Sequence, residues 1–236
     1  MAKDSLNIYK FGSICTFLAL GFIFADVIIG NITGGNLSAL PQTAIGRFTQ
    51  FQQSTLLGLY NLDLLNAMVQ ILIIPSIFSL YLAQRKVNMP FALLAFILFL
   101  LGSVLLVAGN AALPMMELSR KYFATAEETQ KILYAAAGES LLAKGAHGSP
   151  GVFLGFFIPN LANFIMAIIM LHGKVFSKTN AWLGIAGSIL MMVYIILVNF
   201  HTGIEQMATV FAMPGGLLLM AWMIIYGIKL LKLKEI

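Results

Sequence analysis

Hydrophobic residues in this chain fall in long unbroken runs, without the alternation of a half-buried strand or the single stripe of a water-soluble helix. Six runs reach the roughly 20 residues that carry a helix across the hydrocarbon core of a bilayer: Phe11–Gly30, Leu64–Ala83, Met89–Leu113, Gly151–Leu171, Ala181–His201 and Met207–Ile228. From Val87 to Met116 and from Thr179 to Ile204 there is no Asp, Glu, Lys or Arg. Each run is too long and too uniformly apolar for the alternating strands of a barrel. The pattern predicts an all-α polytopic membrane protein with six transmembrane helices in one integral domain spanning residues 1–236. No repeat or low-complexity linker marks a second domain, and the first run, with no cleavage site after it, is expected to stay as a span.

Lys and Arg set the orientation. Lys3, Lys10, Arg85, Lys86, Lys174, Lys178, Lys229, Lys232 and Lys234 fall on one side in short segments. Arg47, Arg120, Lys121, Lys131 and Lys144 fall on the other, four of them in one long charge-balanced stretch. The positive-inside rule then predicts both termini cytoplasmic. The long connections 31–59 and 114–150 become external. In the first, Pro41 opens a short amphipathic helix with Ile45, Phe48 and Phe51 on one face. In the second, Thr125-Ala126-Glu127-Glu128 reads as a capping box for a helix running towards Gly145, with Ile132, Leu133, Ala136 and Leu141 facing the membrane or the bundle. The expected picture is two lids over the outer mouth of the bundle.

Composition agrees. Of 236 residues, 60% are hydrophobic and 10% charged, against about 25% charged in a soluble domain. That excludes a soluble enzyme, a disordered chain and, with Cys15 as the only cysteine, a disulfide scaffold. The net charge of +5 follows from the clusters that topology requires, so no nucleic-acid partner is expected. The expected partners are the lipid bilayer and an unidentified small molecule or lipid, in a prokaryotic cytoplasmic membrane.

Polar groups inside apolar spans are costly and face the bundle interior, so they mark where chemistry would sit. Asp63, Asn66 and Gln70 have i, i+3, i+7 spacing, one stripe on one helical face that ends where Ile73, Ile74 and Ile77 begin. Asn160 and Asn163 lie about 14 Å below the outer start of their span. Asn110 ends the third span and Asn199 lies near the outer end of the fifth. Asp26 sits one turn from the outer end of the first, where the helix dipole disfavours a carboxylate, so it needs a partner; Arg47, Lys144, His147 and His201 are on its side. Together Asp26, Asp63, Asn66, Gln70, Asn110, Asn160, Asn163 and Asn199 outline an outward-open polar cavity. Asp63, at a helix start, also reads as a simple cap.

A metal reading competes. His201 and Glu205 have i, i+4 spacing, and with His147 and Asp26 on the same side they meet the minimum condition for zinc. Gly203 interrupts that helix, however, and Thr202 with Glu205 is equally a capping box. His147, in Gly145-Ala146-His147-Gly148-Ser149-Pro150, reads most simply as a turn residue, with Ser149 and Pro150 opening span four. No cofactor is therefore expected, with zinc as the alternative. Pro75, Pro159 and Pro214 interrupt three spans and would suit a transporter. Phosphate loops, zinc-protease helices, paired cysteines and nucleophile elbows are absent from the sequence.

The segment Gly58-Leu59-Tyr60-Asn61-Leu62-Asp63-Leu64-Leu65-Asn66 is followed by Ile74-Pro75, Leu118-Ser119-Arg120-Lys121-Tyr122, Ala137-Gly138-Glu139-Ser140-Leu141-Leu142, Met170–Lys178, Trp182-Leu183-Gly184-Ile185 and Trp222. In that order, over about residues 55–230, the chain resembles a widespread family of bacterial and archaeal multi-pass membrane proteins known only as a domain of unknown function. His172-Gly173 departs from the Arg-Ser type of dipeptide expected there. The resemblance implies a helical membrane bundle and carries over no catalytic residue. The leading expectation is a non-catalytic protein binding a small molecule or lipid headgroup in the outward cavity; a membrane-embedded metal hydrolase and a transporter or channel are the alternatives.

Overall fold

The structure is a computed structural model describing residues 7–32, 40–201 and 203–233. Among these residues every regular element is helical: α1 (Ile8–Ile32), α2 (Ala44–Gln53), α3 (Thr55–Tyr60), α4 (Leu64–Gly109), α5 (Ala112–Ala124), α6 (Glu128–Gly145), α7 (Phe153–His172), α8 (Lys178–Phe200) and α9 (Glu205–Leu231), with one 3-10 turn at Pro150–Val152. Five helical stretches are long and apolar enough to cross a membrane, Ile8–Gly30, Leu64–Ala124, Pro150–His172, Lys178–Phe200 and Met207–Leu231. They mark the chain as a helical membrane protein.

The longest element is a hairpin. Drawn out straight, the 46 residues of α4 would reach about 69 Å at 1.5 Å per residue. Yet Asn110, just beyond its end, donates from Nδ2 to the carbonyl of Leu62, just before its start, at 2.9 Å. Midway, Gln70 Nε2 donates to Ser103 Oγ at 2.9 Å. The reversal is at Asn88, whose backbone leaves the helical region (φ −155°, ψ 90°) and whose side chain accepts from Phe91 N at 3.4 Å. Pro90 sits in the first turn of the returning arm, where its missing N–H leaves nothing unpaired. The charge pattern locates this turn at Arg85–Lys86; the helix instead continues to the asparagine that can cap the next arm. The returning arm ends at Gly109 rather than Leu113, because Asn110 breaks the helix and its Oδ1 accepts the N–H of Ala112 to start α5.

Both arms of α4 pack along α7. Lipid gives helices no hydrophobic reason to associate, so contact depends on close backbone approach and polar glue. Gly102 lies against the Pro159 ring and Gly155 against Leu106, Gly184 lies against Ala167 and Trp222, and Gly187 against Gly215 and Leu219. The bundle core gathers Phe99, Ala162, Met166, Met170, Trp222 and Tyr226, all essentially without exposed surface. Deeper in the bundle, Thr16 Oγ1, Ser76 Oγ and Tyr226 Oη form a buried chain at 2.6 and 2.9 Å that ties α1, α4 and α9.

At the opposite end α2, α3, α5 and α6 form a single cap with its own core of Ala44, Phe48, Phe51, Leu62, Ala111, Met115 and Leu142. The two expected lids are thus one body. Glu139 Oε1 of α6 accepts the Ala44 N–H of α2 at 2.7 Å, and Ser119 Oγ of α5 donates to the Phe48 carbonyl at 2.9 Å. Two expectations need correcting. Ile45 is exposed and Arg47 is buried with Phe48 and Phe51, because Gly138 admits only the Ala44–Phe48 face against α6. Thr125 does not open α6: α5 runs on to Ala124, so Thr125 closes it, accepts the Glu127 N–H at 3.2 Å, and leaves Glu127 as the N-cap residue.

The glycine contacts give a direct test. A methyl group at Gly102 would overlap the Pro159 ring, whereas one at Gly216 would meet nothing within 4 Å. Gly102→Ala is expected to lower stability by about 1–3 kcal/mol, the usual cost of overpacking, in detergent-micelle unfolding titrations. Gly216→Ala should leave stability unchanged or raise it slightly.

Candidate functional site

The site is built on a strained turn. Asp63 is the one non-glycine residue with positive φ among the described residues (φ 60°, ψ 26°), a conformation that Asp and Asn adopt more readily than other side chains. It precedes α4 but makes no side-chain cap there, so the simple capping reading does not hold. Its carboxylate turns elsewhere. Oδ1 accepts from Asn66 Nδ2 at 3.1 Å, and Oδ2 lies 2.8 Å from His147 Nδ1. Because an ionised carboxylate only accepts, Nδ1 carries the proton.

His147 sits in the turn between α6 and α7, closed by the Ser149 N–H on the Ala146 carbonyl at 3.0 Å and by Gly148 at φ +78°. The turn aims both ring nitrogens at partners. Nε2 lies 3.1 Å from the Tyr194 hydroxyl of α8, and the ring meets Phe156 of α7 edge-on at 5.7 Å. A carboxylate, an imidazole and a phenol therefore stand in line. The His147 and Asp63 side chains keep 23% and 20% of their surface exposed, so the pair is neither sealed in the interior nor freely solvated.

Charge couples these groups. Burial alone would drive His147 neutral, but the Asp63 carboxylate outweighs it and Tyr194 adds to it, raising the imidazole to about 10. Burial also works against ionised Asp63, yet His147, Asn66 and Arg47 together hold its carboxyl below the usual range. The pair is an ion pair at neutral pH. His147 then donates from both nitrogens, Tyr194 accepts, and the Tyr194 O–H can donate onward. Arg47 lies buried in α2 with Nη1 at 3.4 Å from both the Asn61 carbonyl and Gln50 Oε1. Burial lowers its pKa, and Asp63 partly restores it.

Asp26 reaches the same region from α1. Its expected cationic partner is replaced by a phenol: the Tyr60 hydroxyl donates to the Asp26 backbone carbonyl at 3.1 Å, and the carboxylate has Tyr60, Asp63 and His147 within electrostatic reach. Burial, then the two carboxylates, push the Tyr60 phenol well above its ordinary value.

The remaining candidates separate. Asn66 and Gln70 run down α4 from Asp63. Asn160 and Asn163 lie on α7 below Phe156. Asn110 spends both ends of its amide on backbone groups of the α4–α5 junction. Asn199 is buried in α8, bonded back to the Ile195 carbonyl at 2.8 Å. His201 is exposed at the end of α8, and the side chain of Glu205, like the whole of Thr202, lies outside the described residues. Among the described residues no three His, Cys, Asp or Glu side chains gather as a metal set. Tyr60 and Tyr194 were not foreseen. The available signal was that a buried tyrosine hydroxyl requires a partner, and Tyr194 is the only polar side chain between Ser188 and Asn199.

The ion pair predicts a pH signature. Asp63→Asn keeps the turn, since Asn tolerates positive φ, but removes the charge; it is expected to cost about 1–3 kcal/mol. The contribution lost should be full between about pH 4 and 6.5. It should decline as pH rises from 6.5 through about 10, where His147 deprotonates in the folded state, and vanish in acid as pH falls through the depressed Asp63 value. Unfolding temperature against pH, wild type minus variant, measures this; a gap constant from pH 5 to 11 would refute the pairing.

No curated protein matches the chain, and no solved structure does. The family described as a domain of unknown function (DUF4386) matches residues 11–227, nearly the whole chain and all five apolar stretches apart from their outermost residues, and the protein belongs to that family.

Proposed function

We propose that the protein is a six-span bundle of the cytoplasmic membrane, both termini inside, that binds a small polar molecule or lipid headgroup at its outer end. The α4 hairpin supplies two of the six crossings, and the basic residues flanking the Asn88 turn, Arg85 and Lys86, sit on the inner side. The observation that carries the binding reading is the partly exposed Asp63–His147 pair, extended by Tyr194 and accompanied by Asp26 and Tyr60. An ion pair whose only purpose was to join two turns would be expected to close off from solvent or lie freely in it. This one stands between the two, partly exposed and with the Tyr194 O–H able to donate onward. The binding reading is preferred to a zinc hydrolase because His147 spends both nitrogens on protein partners, and to a transporter because the titratable groups that act on one another, Asp26, Arg47, Asp63 and His147, gather at one end.

Two measurements test this. A fluorescent reporter fused after Ile236 should fold and fluoresce on the cytoplasmic side, while a periplasm-dependent phosphatase fused there should be inactive. Purified protein in nanodiscs should be stabilised thermally by at least one member of a panel of polar metabolites and lipids. That gain should be lost in an Asp63→Asn, Asn66→Leu double variant that still folds. Stabilisation that persists undiminished in the variant would place the binding elsewhere.

A further inference from the structure

The end of the bundle opposite the cap is basic throughout. Ser79 Oγ of α4 lies 2.8 Å from the Ile8 carbonyl oxygen at the start of α1. Asn7 Nδ2 donates to the Leu233 carbonyl beyond α9 at 3.3 Å. Gly173, between α7 and α8, lies against Val87 and Gln84 at the α4 turn. These contacts gather the start of α1, the α4 turn, the α7–α8 connection and the end of α9 at one surface. That surface carries seven Lys and Arg side chains and no Asp or Glu among the described residues. None of the seven is paired with a described carboxylate.

Orientation in the membrane asks only that such charges lie on one side, and they are not equivalent. Arg85 and Lys86 end the first arm of α4, while Lys229 and Lys232 end α9, where the partial negative charge of a helix C-terminus offsets them. Lys10 is half-buried. Lys178 is exposed and opens α8 with no acidic residue in that turn, so the dipole opposes it. Lys178 also heads a stripe: Trp182, Ile189 and Ile196 follow at i+4, i+11 and i+18 on one face, all exposed. Buried Trp222 donates to Met170 Sδ at 3.3 Å. Trp182 is 60% exposed, and its indole N–H has no acceptor among the described residues. From Lys178 to Ile189 the stripe runs about 16 Å, close to the half-thickness of a bilayer's hydrocarbon core, about 15 Å.

Ammonium, indole N–H and aliphatic surface follow one another down this face, and an anionic phospholipid presents phosphate, ester oxygens and acyl chain in the same order. We propose that the α7–α8 corner holds one anionic phospholipid. Its phosphate lies against Lys178 and Lys174, its ester oxygens take the Trp182 N–H, and an acyl chain runs along Ile189. Arg85 and Lys86, on the turn that Gly173 touches, add to the positive field there. The corner is at the other end of the bundle from Asp63 and His147, so its occupancy is independent of binding at the cap.

The test places the full chain in phosphatidylcholine nanodiscs with a rising share of phosphatidylglycerol, read by unfolding temperature and by lipid retained in native mass spectrometry. Phosphatidylglycerol should raise the unfolding temperature of the wild type and stay bound where phosphatidylcholine does not. Each basic residue at an anionic surface contributes about fivefold in affinity, so the Lys174→Gln, Lys178→Gln double variant should retain the lipid about tenfold or more weakly. Lys229→Gln with Lys232→Gln removes the same charge from the same surface and should leave retention nearly unchanged. Trp182→Leu, which alters no charge, should weaken retention as well. Equal loss in the two lysine pairs would mean diffuse attraction and would overturn a defined site. Retention unchanged in the Lys174, Lys178 variant, or a wild type indifferent to phosphatidylglycerol, would overturn it too.

Discussion

The contact between Asp63 and His147 decides how the capped end of this protein is organised. It joins the turn before α4 to the turn before α7, two segments 84 residues apart, and through Tyr194 it reaches α8. Each member would be costly alone. A carboxylate and an imidazolium withdrawn from most of their water need one another, and losing either leaves the other charge without its partner. The strain at Asp63 has the same origin. Only a left-handed residue at that point turns the carboxylate away from the first turn of α4 and towards the imidazole. Strain held by surrounding structure at a cluster of titratable groups is a recurrent mark of functional sites.

Below this pair the molecule is held by two different means. Along α4, α7, α8 and α9 the helices meet through glycines and the Pro159 ring, so van der Waals contact supplies what hydrophobic association cannot provide in lipid. Deeper in the bundle the hydroxyls of Thr16, Ser76 and Tyr226 satisfy one another. The difference between the two clusters is informative. The hydroxyl cluster is closed and neutral. The Asp63 cluster is charged and partly open.

Much of the architecture was legible in the order of residues because span length and charge placement are dictated by the bilayer. The apolar runs coincide with helices, and Asp63, Asn66 and Gln70 do descend one face of α4. What could not be read was anything depending on which helices are neighbours. His147 looked like a turn residue, and it is one; only the fold reveals that the turn brings it to Asp63. Tyr60 and Tyr194 gave no periodic signal, since a single tyrosine in an apolar span is equally compatible with lipid or with a partner. Ile45 was assigned to a buried face by spacing, but the helix is rotated by the gap that Gly138 opens for Ala44 and Phe48. Asn110 looked like part of a cavity because a polar side chain at a span end has several uses, and joining hairpin to cap proved to be the one adopted.

The cap has a kinetic implication for biogenesis. Its inner filling comes from both long connections, and the Ala44 amide is satisfied by Glu139, 95 residues further on. The first connection is therefore synthesised before its mate, and it waits while the whole α4 hairpin is made. Until α5 and α6 follow, Phe48 and Phe51 have no packed surroundings of their own. Tertiary closure of this end therefore comes late in synthesis, whatever the speed of the individual helices.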